Sequence, residues 1–279
     1  MVHKPGPRNF SLDGNSAMLR YLPYSGGPSD SSWSTPSTSA KGSRFMHMTK
    51  MVNASMELSW TGTAITLVGE RMNGSYSVTL DGNVSQHTLT SNALLSGSTP
   101  DIVTLFSAKD LQDTPHNLTL SVREGEIAVH SANVTINIKE EFKVAKIPVA
   151  TNAIPPAANQ FFFSHGFNWS VADFRGTPSL GIDVEDAQLS FDLNSTRAFE
   201  IYGRTGPAQG SFKVEVLQNS TASCSDSFTG NASSPDTDSI ALLYVATNMD
   251  PTMNYRVNIN NNEGKFDLDH LVIYETVPG

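Results

Sequence analysis

Gly74-Ser75-Tyr76-Ser77-Val78-Thr79-Leu80-Asp81-Gly82-Asn83 is the stretch that decides the fold. Tyr76, Val78 and Leu80 alternate with polar residues, the period of two that lines one face of a strand with apolar side chains. Asp81-Gly82 then supplies the positive φ angles of a tight hairpin turn. The same alternation recurs on both sides: Met56, Leu58 and Trp60; Ile65 and Leu67; Leu118, Leu120 and Val122; Val134, Ile136 and Ile138. Each run is short and ends near Gly, Asn, Asp or Pro, as half-buried antiparallel strands of a sandwich or barrel do. No segment keeps a helical period for three turns; a single helical turn is expected between Asp101 and Leu111.

The blocks of the first half return in order in the second. Leu58-Ser59-Trp60 is matched by Leu189-Ser190-Phe191, and Ala64-Ile65-Thr66-Leu67-Val68-Gly69 by Ala198-Phe199-Glu200-Ile201-Tyr202-Gly203. Gly74–Leu80 is matched by Gly210–Val216, Asp101–Phe106 by Asp238–Tyr244, Leu118–Val122 by Tyr255–Ile259, and Ile127–Val129 by Phe266–Leu268. Trp33 and Trp169 stand upstream at comparable distances. The reading is an all-β chain of two tandem jelly-roll-type antiparallel β-sandwich domains, residues 1–145 and 157–279. Pro148, Pro155 and Pro156 mark a stiff linker over about 146–156.

Composition narrows the partners. Of 279 residues only 16% are charged, the net charge is −9, and no run of Lys or Arg occurs. A nucleic-acid binder needs a basic face, and an anionic membrane surface asks for the same. No stretch is long and apolar enough to span a bilayer. Met1–Arg8 does not read as a signal peptide, so a secreted form is expected to have lost its leader, and an anchor beyond Gly279 is compatible with the sequence. The single cysteine, Cys224, lies in a polar run and reads as an unreactive thiol.

Ten N-x-S/T sequons point to secretion: Asn9, Asn53, Asn73, Asn83, Asn117, Asn133, Asn168, Asn194, Asn219 and Asn231. Chance at this composition gives about four or five. Several fall at turns, where a glycan is carried without disturbing a core.

The block strand, Gly62-Thr63-Ala64-Ile65, Val68-Gly69, then Gly74-Ser75-Tyr76-Ser77-Val78-Thr79-Leu80-Asp81-Gly82 resembles secreted or membrane-anchored fungal proteins, mostly basidiomycete, with two tandem jelly-roll domains. It is also similar to galactose-binding-like and carbohydrate-binding-module sandwiches. The resemblance covers Met56 to Val134 well and the second repeat loosely, where Leu217-Gln218 replaces the Asp81-Gly82 turn. It implies a jelly-roll fold and an extracellular or cell-surface location, and carries over no binding residues.

The residues themselves favour a non-catalytic protein. There is no G-x-S-x-G elbow; the nearest carboxylate clusters for glycoside hydrolysis are Asp183, Glu185 and Asp186, and Glu140 with Glu141. The seven histidines show no metal-binding spacing, and His47 and His116 read as core or turn residues. Oxygen-rich loops of jelly-roll modules hold structural Ca²⁺, with Asp183, Glu185, Asp267 and Asp269 as candidate ligands here. Sugar binding needs aromatic faces beside polar groups. Tyr21, Tyr24, Trp33 and Trp169 are the candidates, together with the run Phe161-Phe162-Phe163; Trp33 and Trp169 also suit a shared core position. The expected function is glycan binding or surface adhesion, with carbohydrate as partner. A glycan-active hydrolase or esterase, and a structural coat protein, are the alternatives.

Overall fold

A computed structural model describes residues 1–23, 31–35, 46–90, 101–149, 161–163, 169–174, 177–218, 223–234 and 239–277. Tyr24, Asn168 and Asn219 lie outside these residues, as does most of the expected linker. The described residues form two compact units, Arg8–Asn137, and Met1–Pro7 with Ile138–Gly279.

In the Arg8–Asn137 unit, a five-stranded sheet runs in the order Arg20–Leu22, Ser55–Gly62, Thr114–Gly125, Gly74–Leu80, Asn83–Leu89. The other sheet runs Gly6–Asp13, Ile127–Ile138, Ala64–Glu70, Ile102–Ala108, with His47–Thr49 also paired to Ile127–Ile138. The alternating residues Met56, Leu58 and Trp60, with Tyr76, Val78, Leu118 and Leu120, are buried, as are Ile65, Leu67, Val134 and Ile136 of the other sheet. Tyr76 reaches across the core, its hydroxyl donating to the Leu105 carbonyl at 2.6 Å. The expected hairpin is present: Leu80 pairs with Asn83, and Asp81 and Gly82 take φ of 49° and 84°. The expected helical turn is instead strand Ile102–Ala108, paired to Ala64–Glu70; its β-branched residues fit a pleated edge.

The C-terminal unit repeats this plan. Its five-stranded sheet runs Phe161–Phe163, Gln188–Leu193, Tyr255–Asn261, Ser211–Gln218, Ser223–Asn231. In the seven-stranded sheet Phe266–Thr276 pairs with Phe142–Pro148, Thr177–Ile182 and Thr196–Thr205; Ser239–Ala246 joins Thr196–Thr205, Ser170–Phe174 joins Thr177–Ile182, and Val2–His3 joins Phe142–Pro148. Aromatic contacts Phe191–Phe199 and Phe212–Phe266 cross between the sheets. Within the described residues, each repeat block matched in the sequence falls on the corresponding strand.

The boundary differs from the expected division at 145 and 157. Phe142–Pro148 is a strand of the C-terminal unit, in register with Thr276 to His270. Pro148 closes this strand rather than opening a linker, which its missing N–H permits at a strand end.

Candidate functional site

The aromatic candidates divide by burial. Trp33 is wholly buried and Tyr21 is 7% exposed. Tyr21 packs on Trp33 and stacks on His47 with centroids 4.2 Å apart. Neither ring offers a face to a sugar, which corrects the expectation for both; they are core. Trp169 is half-buried. Replacing Trp33 by alanine is expected to cost about 3–5 kcal/mol, read as a lowered urea midpoint; a ligand contact would leave the midpoint unmoved.

Among the described aromatic side chains Phe162 is the exposed one, at 45%. It lies on the outward face of the five-stranded sheet of the C-terminal unit, where the register sets residues in rows. Phe162, Ser190, Asn258, Glu215 and Ser227 cross all five strands, a width of about 19 Å at the usual strand spacing. Beside it run Asp192, Arg256, Leu217 and Cys224, and on the other side Gln188, Asn260, Lys213 and Thr229. Their neighbours along each strand, such as Leu189, Phe191, Val257, Ile259, Val214 and Val216, fill the core, so the alternation that makes the core also makes this polar face.

The face is fixed by its own contacts. Arg256 forks onto Asp192 with bonds of 2.8 and 3.0 Å, and its guanidinium carbon lies 5.1 Å from the Phe162 ring centre. Asp192 raises the guanidinium pKa further above its ordinary value through these bonds. Lys213 is paired with Glu215 at 2.6 Å, which raises the ammonium pKa through the same hydrogen bond. The Ser190 hydroxyl donates to Asn258 Oδ1 at 2.8 Å. Every charge on these rows therefore has a partner of opposite sign. The Asn258 Nδ2 and the Asn260 amide have no partner among the described residues. The result, among the described residues, is a polar face with one exposed ring, no net charge and amides open to hydroxyl groups.

The corresponding face of the Arg8–Asn137 unit is built differently. Its outward residues include Ser55, Glu57, Ser59, Thr119, Ser121 and Thr79, and no aromatic residue points outward from its five strands.

A second polar cluster lies on the opposite sheet of the C-terminal unit. Glu200, 4% exposed, accepts the hydroxyls of Tyr202 and, at 2.6 Å, Tyr274. Tyr202 stacks on His270 at 4.4 Å, and His270 Nδ1 lies 2.5 Å from Asp269. Leu242 and Val245 beside them are also buried, while Tyr202 and Tyr274 are half-buried. The sequence did not single out this cluster, because it depends on the pairing of Tyr202 with His270.

The expected Ca²⁺ ligands are not brought together. Asp183 and Glu185 are exposed in a turn. Asp267 is wholly buried and neutralised by Arg204 at 3.3 Å, Lys265 at 3.1 Å and the Gln209 amide at 3.0 Å, while Asp269 serves His270. Two cations on one carboxylate oppose a divalent ion. Gly181 makes room for Asp267: a Cβ there would sit 2.1 Å from Oδ1. Among the described residues no group of three or more His, Cys, Asp or Glu side chains is placed to hold a metal. Of the carboxylates weighed for hydrolysis, Asp186 is exposed, and Glu140 faces Arg197 at 3.5 Å.

The histidines read as core or turn residues occupy such places. Burial lowers the His47 pKa to about 3, against a backbone hydrogen bond with Gly14. For His116, burial opposes the cation, but bonds to Asp81 at 2.6 Å and to the Gln112 and Gly62 carbonyls prevail and raise its pKa. Seven of the eight described sequon asparagines are exposed: Asn9, Asn53, Asn73, Asn83, Asn117, Asn194 and Asn231; Asn133 is half-buried. Cys224 is exposed. Among the described residues no helix is long and apolar enough to cross a membrane.

No family model matches the chain, and no curated protein matches it. Among solved structures, the tandem CBM22-1–CBM22-2 domains of Paenibacillus barcinonensis Xyn10C are similar at 9% identity over 87% of this chain and 90% of that one, with a TM-score of 0.31. The CBM36-1 domain of a multidomain xylanase from the hindgut metagenome of Trinervitermes trinervoides is similar at 10% identity over 49% of this chain and 99% of that one, TM-score 0.30. The insecticidal crystal protein Cry2Aa is similar at 11% identity over 81% of this chain and 57% of that one, TM-score 0.33. The sandwich architecture itself rests on the strand pairing above: each unit is an antiparallel β-sandwich.

Proposed function

We propose that the protein is a secreted, non-catalytic glycan-binding protein of the cell surface or cell wall, and that the outward face of the C-terminal five-stranded sheet holds the ligand. The observation that carries this reading is Phe162, an exposed ring locked by Arg256 beside amides without partners. A sugar ring stacks its C–H face on such a ring and uses the amides for its hydroxyls. The paired charges select a neutral glycan, since a uronate or sulfate finds no unpaired cation among the four charged side chains of these rows.

Binding is tested by affinity electrophoresis of the intact protein in gels containing neutral cell-wall polysaccharides. Retardation is expected, and Phe162→Ala is expected to weaken it at least about tenfold. Equal retardation of the variant sinks the assignment of the face.

Hydrolysis finds its most ordered groups in Asp269, His270 and Glu200. Their burial, with Glu200 already holding two tyrosine hydroxyls, supports a structural role for them.

A further inference from the structure

We infer that the two units have divided roles: the Arg8–Asn137 unit carries N-glycans on both outward faces, so the chain presents one glycan-binding face rather than two. This rests in part on the reading of the Phe162 face given above. Asn117 lies on the central strand of the five-stranded sheet in the N-terminal unit, Thr114–Gly125, and is exposed. Its Oδ1 accepts the Ser59 hydroxyl at 2.7 Å, which leaves Nδ2, the atom that an N-glycan occupies, without a partner among the described residues. On the other sheet, Asn9 Oδ1 accepts the Thr135 hydroxyl at 2.8 Å, and its Nδ2 is likewise unpaired among the described residues. Asn133 lies two residues from Thr135 on the same strand and faces the same way.

The C-terminal unit shows the opposite pattern at the corresponding place. Its central strand, Tyr255–Asn261, also presents asparagines on the face, Asn258 and Asn260. Residues 260 and 262, two places after each, are asparagines, so neither is a sequon. These amides stay bare, beside the ring. The described sequons of this unit, Asn194 and Asn231, sit in a turn and at a strand end. A branched glycan on Asn117 covers a face that has no ring to stack on; the face with the ring has no acceptor in its centre.

The test starts with the full chain secreted from yeast behind a leader peptide, followed by intact-glycopeptide mass spectrometry. Occupancy of Asn9, Asn117 and Asn133 is expected, and secreted chain with Asn117 unoccupied overturns the inference. Calorimetric titration with a neutral oligosaccharide that the gels have identified follows. One site per chain is expected, unchanged in N117Q and lost in F162A. Two sites in the natural chain or in N117Q, or binding that survives F162A and disappears on replacing Glu57 and Thr119, overturns it as well. A chain that is occupied at these asparagines and binds no glycan defeats the proposed function and leaves the placement of the glycans standing.

Discussion

The Asp13→Asn variant will be stabler than the natural chain at pH 7 by about 2–3 kcal/mol, and on going to pH 4 it will lose about 2–3 kcal/mol more than the natural chain does. A buried histidine and a half-buried carboxyl of the Arg8–Asn137 unit oppose each other. Burial raises the Asp13 carboxyl from its ordinary 3.8 to about 6, against backbone bonds from Asn15 and Ser16. The native state therefore binds this proton more tightly than the unfolded chain; that stabilisation is full below pH 3.8 and is lost as the pH rises through 6. His47 works the other way. Its lowered pKa of about 3 means that the unfolded chain takes up a proton first, so stability present above pH 6.5 is lost as the pH falls toward 3. In the natural chain the two largely cancel between pH 7 and pH 4. The side-chain amide of the D13N variant keeps an acceptor for the Asn15 N–H, which bonds the natural carboxylate at 3.0 Å, but carries no titrating proton, so Asp13 no longer offsets the His47 loss. Urea melts at pH 7 and pH 4 check this; parallel losses in both proteins would show that Asp13 is ionised in the fold at pH 4.

The second large effect belongs to the other unit. Replacing both Tyr202 and Tyr274 by phenylalanine is expected to destabilise the C-terminal unit by about 3–5 kcal/mol, since it strands a buried carboxylate with no donor. Glu200 is 4% exposed, and these two hydroxyls are its hydrogen-bond donors. Either single variant should cost less, about 1–3 kcal/mol, as one donor remains. Glu200→Met in the double background should recover most of the loss, because it removes the charge that lost its partners. Thermal unfolding of the natural chain and these variants measures this; a double variant within about 0.5 kcal/mol of the natural chain would mean that Glu200 is solvated.

Much of the fold was legible in the sequence because burial on one face of a strand writes itself as alternation. Leu58, Tyr76 and Val214 could be assigned inward, and the repeated blocks landed on equivalent strands, for this reason. The site was less legible. Phe161-Phe162-Phe163 has no alternation, so nothing in it says which ring faces out; only its register with Phe191, Ser190 and Leu189 decides. Tyr21 looked exposed beside Pro23 and the following glycines, yet its strand is paired to Met56, and inward register buries it. The Glu200 cluster joins residues some seventy positions apart, and local pattern holds no trace of that pairing. Phe142–Pro148 was hidden because proline reads as a linker when the strand that it ends is not yet known.

The most direct test of the binding face is hydroxyl-radical footprinting of the intact protein with and without a neutral cell-wall oligosaccharide. Phe162 and Leu217, on the face, are expected to lose oxidation when the ligand is present. Val52 and Val84, 52% and 61% exposed in the other unit, are expected to be unchanged. Protection of Val84 with none at Phe162 would contradict the account.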